Sequence, residues 1–210
     1  MSDADTAVVI DPSIPAIIDD WFLDADTGRR DLPQPARWFR GGKALDAHLR
    51  SRWSSDLGAA LAGERDHWRE ERSGSLAFVV LLDQFARNLH RGSAAAFAGD
   101  ERALAAARTA IARGDDRRLP LVQRVFLYLP LEHHESIEMQ RESLRLFTAL
   151  RLGAPDPLTD FAQATLDSAR EHAAIIERFG RYPHRNAVLG RTSSDEEREW
   201  LDEGGGRFGQ

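Results

Sequence analysis

The sequence predicts an all-α protein organised as a single domain. Two signals of strands, sustained period-two alternation and tight turns between β-branched runs, are absent from the 210 residues. Apolar residues recur instead at helical spacing, as at Leu45, Leu49, Trp53, Leu57 and Leu61. A hydrophobic share of 42% in a chain of this length suits one sizeable core. Short connections between neighbouring helices favour antiparallel hairpins.

The domain is expected to span residues 14–203, between a polar leader at 1–13 and a flexible, glycine-rich tail at 204–210. A first helix begins near Pro15, and the glycine and prolines of 27–35 predict a loop after it. The next boundaries follow from glycine and serine residues that start, separate or stop helices: Gly41-Gly42, Gly63, Ser73-Gly74-Ser75, Gly92, Gly114 and Gly180.

Capping signals and prolines set the helix boundaries in the second half of the chain. Asp100 and Asp156 are predicted N-caps, and a proline at the first helical position follows the second of them. Ser193 and Glu196 have the spacing of a capping box for a last helix. Pro130 lies inside a strongly apolar helical stretch, where it removes a hydrogen bond, so we expect a kink or a short break there.

Composition and charge exclude several classes of function. The 28 basic and 34 acidic residues give a net charge of −6, which argues against nucleic-acid binding. Without cysteine, neither disulfides nor thiolate chemistry is available. The longest apolar run, 76–82, is far shorter than the ~20 residues that span a bilayer, and the acidic N-terminus lacks the positive charge of a secretory signal. We therefore expect a cytoplasmic protein that does not bind membranes. The sequence contains no glycine-rich loop that would bind a phosphate or a dinucleotide, so no cofactor is expected. A homodimer is a possibility that the sequence leaves open.

The most informative segment is the sequence LAFVVLLDQFARNLHR at 76–91. Its apolar half is typical of a helix buried on every side, yet Asp83, Gln84, Arg87 and Asn88 follow directly. Buried polar groups cost free energy unless they find partners. Residues four apart can pair on a helix, so one interpretation is a structural network of an ion pair and an amide pair. The other is that Arg87 and Asn88 bind an anion or a peptide group, since the guanidinium matches carboxylate and phosphate geometry.

A second polar cluster, EHHE at 132–135, follows Pro130 and contains residue types that act in acid–base chemistry or bind metals. Its spacing matches neither HExxH nor the Glu-x-x-His pattern of di-iron bundles, so no metal ligands are assigned. Besides metal binding, two interpretations stay open: a hydrogen-bonded structural cluster, and a general acid or base role for Glu132 or His133.

A third cluster follows the predicted helix stop at Gly180. Tyr182-Pro183 favours extended backbone, after which Pro183 could open a short helix at 184–189. Cationic, imidazole and amide donors near a helix N-terminus would form an anion site. Alternatively, the arginines cap the C-terminal ends of helices and form ion pairs with the acidic residues, which outnumber the basic ones. In the helix predicted after Pro157, His172 is the one histidine among apolar residues at helical spacing, and it is interpreted as a core residue.

Three strings carry a family resemblance: LLDQFARNLHRG at 81–92, FLYLPLEHHE at 126–135, and RFGRYPHRNAVLGR at 178–191. Together with Trp21-Phe22 and Trp38-Phe39, they resemble the bacterial domain-of-unknown-function family number 924. The resemblance covers roughly 14–202 and implies antiparallel helical hairpins stacked in a right-handed, tetratricopeptide-like array. It implies no activity. Ala86 stands where the family commonly has proline, which favours continuation of the helix.

These observations support three hypotheses. The first is a pocket between helices for a small anionic or peptide-like ligand, lined by Gln84, Arg87, Asn88, Arg181, Arg185 and Asn186. The second is a small-molecule hydrolase or lyase with His133 or His184 as general acid or base, and Glu132 as its partner. The third is a structural or protein-interaction module whose polar clusters only hold the helices together.

Overall fold

Helices form the secondary structure of residues 11–24 and 26–205, which the computed structural model describes. The α-helices are α1 Ser13–Phe22, α2 Pro35–Arg40, α3 Lys43–Leu61, α4 Arg72–Val79, α5 Ala86–Leu89, α6 Asp100–Ala112, α7 Leu121–His133, α8 Ile137–Leu152, α9 Thr159–Phe179 and α10 Asp195–Asp202. These two ranges contain no strand, so the all-α prediction is confirmed. None of their helices is long and apolar enough to cross a membrane. The leader and tail predictions fall largely on residues outside the described ranges.

A continuous buried rod forms the centre of the molecule. It consists of α4, a π-helical turn at Val80–Phe85, and α5, and it packs against α1, α3, α6 and α7. The π turn closes with a hydrogen bond from the Ala86 N–H to the Leu81 carbonyl, five residues earlier. Because such turns widen the helix locally, they re-aim the side chains that follow, and they are frequent at functional sites. Here the turn carries Asp83 and Gln84.

Two antiparallel hairpins pack beside the rod. Helices α7 and α8 are joined by three residues, and α8 and α9 by a six-residue connection that includes a 3-10 turn at Asp156–Leu158. Consecutive helices that pack together across such short connections run antiparallel. Helix α9 also contacts α7, so the three helices pack against one another. The stacked, tetratricopeptide-like array stays a prediction.

Of the kink or short break expected at Pro130, the break does not occur. Helix α7 continues through this residue to His133, and its last turns are buried. Pro130 lacks the N–H that would bond the carbonyl of Phe126, which removes one helical hydrogen bond. Tertiary packing on both sides of the residue overrides this local penalty. The consequence is that Glu132 and His133 belong to a rigid helix and not to a loop.

The capping box of the last helix lies one residue after its predicted position. Ser194 Oγ accepts from the Glu197 N–H at 3.1 Å, and Glu197 Oε2 accepts from the Ser194 N–H at 2.7 Å. The predicted pair has other partners, because Ser193 Oγ accepts from Asn186 Nδ2 and Glu196 binds an arginine of α9. Sequence spacing alone allows both registers, and the tertiary contacts select one.

The N-cap predictions in the middle of the chain also need correction. Gly99 is the N-cap of α6, and the Asp100 carboxylate turns toward the central rod. Helix α9 begins at Thr159, because residues Asp156–Leu158 form a 3-10 turn before it. After Gly180, whose φ of +69° ends α9 as predicted, the chain forms only a 3-10 turn at Pro183–Arg185 where a short helix was expected.

The separator predicted at 73–75 lies inside α4, where Gly74 permits a close approach of backbones. A Cβ at this position would lie 2.1 Å from the carbonyl oxygen of Trp68. We expect Gly74→Ala to lower the free energy of unfolding by about 3 kcal/mol, since the obstructing atom is backbone and cannot rotate away. Urea denaturation measures the change.

Gly58→Ala is the matched control for this substitution. Gly58 lies in the interior of α3, and nothing lies within 4 Å of the position that a Cβ would take there. Alanine should therefore raise the free energy of unfolding by about 0.5–1 kcal/mol. Equal effects of the two substitutions would contradict the packing of α4 against the turn at Asp66–Glu70.

Candidate functional site

A cavity of about 580 Å³ lies between α2, the central rod, α7, α9 and the turn after α9. Polar side chains from all three predicted clusters line it, although the clusters are far apart in sequence. Seven of the nine predicted site residues are in its wall: Gln84, Arg87, Asn88, Glu132, His133, His184 and Arg185. The fold therefore brings the clusters together.

The two other predicted residues lie outside the cavity wall and stabilise the C-terminal helix. Arg181 binds Glu197 through Nε and Nη2, at 2.6 and 2.8 Å. Asn186 donates to the same carboxylate at 3.2 Å and accepts from Arg191 at 2.9 Å. The expectation that Arg181 and Asn186 contribute to a shared ligand site is therefore corrected: both serve the attachment of α10.

A hydrogen-bonded pair of Asp83 and His133 forms the deepest polar part of the wall. His133 Nδ1 lies 2.7 Å from Asp83 Oδ1, and Gln84 Nε2 donates to Asp83 Oδ2 at 2.6 Å. A carboxylate partner fixes the tautomer, because it accepts the proton of Nδ1. The lone pair of His133 then resides on Nε2, and His133 lines the cavity.

Charges around Asp83 keep it ionised although the residue is completely buried. Burial alone would raise its pKa, but the Arg87 guanidinium, followed by His133, outweighs burial and holds the pKa well below its usual range. Burial also lowers the pKa of His133, against the opposing effect of Asp83, so the imidazole is neutral at pH 7. The pair is thus a carboxylate beside a neutral, oriented imidazole.

Arg87 joins the rod to α6. Its guanidinium donates to both oxygens of Asp100, at 2.9 and 3.1 Å, and to the Asp83 carbonyl at 2.7 Å. Its neighbour in the quartet, Asn88, donates to Asp46 of α3 at 2.9 Å, so the predicted pairing of Asn88 with Gln84 is wrong. Asp100 and Asp46 satisfy these side chains from other helices.

Arg185 is a buried cation of the wall with incomplete hydrogen bonding. The residue is 7% exposed, and its Nε has no hydrogen-bond partner in the described part of the chain. Its contact with Asp100 Oδ2 is 3.6 Å, longer than a hydrogen bond. The guanidinium stacks on Tyr182 and Phe97, with 4.4 and 4.7 Å to the ring centroids. Burial, followed by the nearby Arg87, lowers the pKa of Arg185 to about 10, which leaves it protonated at pH 7.

Glu132 presents a carboxyl group that burial keeps protonated. The residue is 2% exposed, and burial, followed in the same direction by the Asp83 charge, raises its pKa to about 8. Its Oε1 accepts from Ser168 Oγ at 3.0 Å and lies 3.0 Å from His172 Nδ1, while its Oε2 is buried without a partner among the described residues. At pH 7 this group is a neutral acid.

Two further imidazoles near the wall are neutral as well. Burial lowers the pKa of His172 to about 3 and that of His184 to about 4. His172 is buried on α9, as its apolar stripe predicted, but it also lines the cavity, with its ring centroid 6.1 Å from that of His133. Sequence reasoning missed His172 and Ser168 as site residues. The signal that could have indicated them is their four-residue spacing, which places both on one face of α9.

The end of α7 is fixed by side chains that bind its unsatisfied carbonyls. Gln140 Nε2 donates to the carbonyls of Glu132 and His134, at 2.7 and 2.8 Å, and the Tyr182 hydroxyl also donates to the Glu132 carbonyl. The last carbonyls of a helix have no partner within it, so these bonds replace the missing ones. They hold the turn that carries Glu132 and His133 in place.

Three aromatic residues also line the cavity, and we call them the aromatic wall: Trp38, Phe39 and Phe161. The ring centroids of Trp38 and Phe161 are 6.2 Å apart, and those of Trp38 and Phe39 are 6.3 Å apart. Trp38 Nε1 donates to the Trp21 carbonyl at 2.9 Å, which fixes its orientation. The helix α2 that carries two of these rings was not predicted from the sequence.

Residues 11–24 and 26–205 contain no group of three or more His, Asp or Glu side chains that could hold a metal ion. What the cavity offers is a buried guanidinium, a neutral carboxylic acid, an oriented imidazole and an aromatic surface. Such a combination can bind an organic anion and can exchange protons with it.

Fold and site together define an all-helical protein with a cavity that is polar on one side and aromatic on the other. The family model for bacterial proteins of unknown function, DUF924, matches residues 17–205, and the chain belongs to this family. The chain is also similar to the solved structure of a protein of unknown function, ATU0120 from Agrobacterium tumefaciens. The two share 38% identity and a TM-score of 0.77, over 91% of this chain and 97% of that chain. No curated protein matches the chain. The predicted family is confirmed.

Proposed function

We propose that the cavity binds a small organic anion, whose charged group contacts Arg185 and whose apolar body lies along the aromatic wall. The observation that carries this proposal is the state of Arg185: it is a buried cation, and among the described residues its Nε has no partner and no carboxylate lies at hydrogen-bond distance. A buried charge is costly unless an ion with good geometry compensates it. A ligand carboxylate or phosphate would supply that compensation.

The acidic residues nearby do not replace such a ligand. Asp100 is already bound by both terminal nitrogens of Arg87, and Asp83 is bound by His133 and Gln84. Glu132 is neutral at pH 7 because its pKa is raised to about 8 by burial. Arg185 therefore keeps unused donor capacity, which matches the planar, two-oxygen face of a carboxylate.

Size and chemistry of the remaining wall support an organic anion over an inorganic one. A cavity of about 580 Å³ falls within the range typical of small-molecule sites and exceeds what a sulfate or phosphate ion would fill. The aromatic wall, with Val125 and Leu129 beside it, offers an apolar surface to the rest of the ligand. An aryl or branched alkyl carboxylate satisfies both sides.

Thermal unfolding with matched probes tests the proposal. We expect phenylacetate to raise the melting temperature by several degrees at saturating concentration, and the neutral phenylacetamide to have no effect. N-acetylphenylalanine extends the series to a carboxylate attached to a peptide group. Arg185→Gln should weaken phenylacetate binding by about 10- to 100-fold, because a hydrogen-bonded charge pair is lost.

The control is Arg178→Gln, which removes one arginine outside the cavity wall. Arg178 is half exposed and pairs with Glu196, so its loss should leave phenylacetate binding unchanged. Equal stabilisation by phenylacetate and phenylacetamide, or undiminished binding to Arg185→Gln, would refute the proposal. If N-acetylphenylalanine alone binds, the ligand class is a peptide terminus. The cytoplasmic location, the homodimer and the absence of nucleic-acid binding stay predictions.

A further inference from the structure

Acid–base groups of opposite proton state face the cavity together. We infer that the cavity is a proton-transfer active site for small aryl 2-oxo acids, in which His133 removes a proton from the carbon next to the carbonyl and Glu132 protonates the carbonyl oxygen. This inference rests on the proposed function, because Arg185 would hold the carboxylate of the substrate. The reaction is the interconversion of keto and enol forms.

The base follows from the hydrogen bond of His133 to Asp83. At 2.7 Å, the Asp83 carboxylate accepts the Nδ1 proton, so the basic electron pair is on Nε2. Asp83 is itself fixed by Gln84 and by the neighbouring Arg87, at 2.6 and 3.2 Å. The negative carboxylate behind the ring stabilises the imidazolium that forms when Nε2 takes a proton.

The acid follows from the position of Glu132 directly beside this base. Its Oε1 lies 3.0 Å from His172 Nδ1, and the rings of His172 and His133 are 6.1 Å apart, so both functional groups border the same volume. Its Oε2 is buried and without a partner among the described residues, and in the inferred reaction this oxygen carries the proton that goes to the carbonyl. Enolisation requires a protonated acid and an unprotonated base at the same site. Different surroundings can give two neighbouring groups these two roles.

The step conserves atoms and electrons without a further reactant. The C–H bond next to the carbonyl breaks, its proton goes to His133 Nε2, and its electron pair forms the carbon–carbon double bond. The π pair of the carbonyl takes the proton of Glu132, and the enol results. Glu132 is then a carboxylate and His133 an imidazolium, and the reverse transfer or exchange with solvent restores both.

The aromatic wall selects the substrate within this class. With the carboxylate on Arg185 and the reactive carbon near His133, the remainder of the ligand extends toward Trp38 and Phe161. A planar aromatic ring suits this surface better than a short alkyl chain, because edge and face contacts add to area burial. Phenylpyruvate therefore represents the expected class, and pyruvate is the probe without the ring.

Hydrogen–deuterium exchange tests the inference directly. The full chain is incubated with phenylpyruvate in deuterated buffer, and proton NMR follows the loss of the signal from the carbon next to the carbonyl. We expect exchange at least 100-fold faster than in buffer alone, which is the usual contribution of a positioned acid–base group. Pyruvate should exchange more slowly than phenylpyruvate.

Two variants of the base distinguish chemistry from folding. His133→Asn keeps an amide N–H near the Nδ1 position, where it can still donate to Asp83, but removes Nε2, so exchange should fall at least 100-fold while the melting temperature stays close to wild type. His133→Gln is the second variant, in case asparagine disturbs the helix. Glu132→Gln should slow exchange at least 10-fold, and Arg178→Gln should exchange like wild type.

The outcomes separate this inference from the proposed function. If phenylacetate stabilises the protein but wild type does not accelerate exchange of phenylpyruvate, the proton-transfer role is refuted and ligand binding stands. If neither effect occurs, both fall. Undiminished exchange by the folded His133 variants would refute His133 as the base even if wild type accelerates exchange.

Discussion

Replacing Asp83 with asparagine should lower the free energy of unfolding by about 3–5 kcal/mol. The carboxylate is completely buried, and it binds His133 at 2.7 Å and Arg87 at 3.2 Å. The isosteric amide removes the negative charge and leaves the Arg87 guanidinium buried with one counter-ion fewer, and breaking a buried pair from one side has a cost of this size. Equilibrium denaturation in urea at pH 7 measures it.

A surface aspartate provides the control for this prediction. Asp167→Asn changes the same charge at a side chain that is 52% exposed, pairs with Arg170 and accepts a hydrogen bond from Gln163. An exposed ion pair contributes about 0–1 kcal/mol, so the control should be nearly neutral. A comparably small effect of Asp83→Asn would show that the buried network does not contribute to stability, and it would weaken the orientation argued for His133.

Replacing Glu132 with glutamine should change the pH dependence of stability more than its value at acidic pH. In the folded state burial raises the pKa of Glu132 to about 8, whereas its ordinary value is 4.5. Between these values the folded protein retains a proton that the unfolded chain has released. Each pH unit in this window therefore lowers the wild-type free energy of unfolding by about 1.4 kcal/mol through this group.

The sum over the window of about 3.5 units is about 5 kcal/mol. Glutamine carries no titrating proton, so Glu132→Gln should be close to wild type in stability at pH 5 and several kcal/mol more stable than wild type at pH 8.5. The pKa values of His172 and His184, lowered to about 3 and 4, act in the opposite sense below pH 6.5. Both proteins contain these two histidines, so the difference between their free energies of unfolding reports the contribution of Glu132.

Urea titrations at pH 5, 6, 7 and 8.5 provide the measurement, with Glu177→Gln as the control. Glu177 is exposed on α9, so its substitution measures what the loss of a surface glutamate does to stability at each pH. If the free energy of unfolding of Glu132→Gln differs from that of wild type by the same amount at every pH, Glu132 is ionised in the folded protein at neutral pH. Ser168 and His172, which face its carboxyl, would then compensate its charge better than their geometry indicates, against the repulsion of the nearby Asp83.

Local patterns in the sequence were sufficient to locate the polar clusters but not their partners. The apolar run at 76–82 and the polar residues after it predicted a buried rod beside polar groups, and both are present. Yet Asp83 binds His133, which is 50 residues away, and Asn88 binds Asp46, which is 42 residues away. No spacing rule within one helix indicates contacts between helices, so the predicted pair of Gln84 and Asn88 was wrong.

Boundaries failed where tertiary packing competed with a local preference. Pro130 has a local tendency to break a helix, and Gly74 a tendency to separate two segments, but both lie inside helices that packing holds. Arg181 and Asn186 have the chemistry of an anion site, and only the position of α10 assigns them to Glu197. In each case the decisive neighbour comes from another part of the chain.

The sequence by itself determined that this chain is helical, that one rod is buried on all sides, and that three polar strings border apolar helices. These features depend on periodicity and capping, which act over a few residues. Only the tertiary structure decided that the strings enclose one cavity, that no carboxylate of the described residues hydrogen-bonds Arg185 there, and that Glu132 and His133 differ in proton state. The physical reason is that ionisation and pairing depend on burial and on charges contributed by distant segments, which adjacency in sequence does not specify.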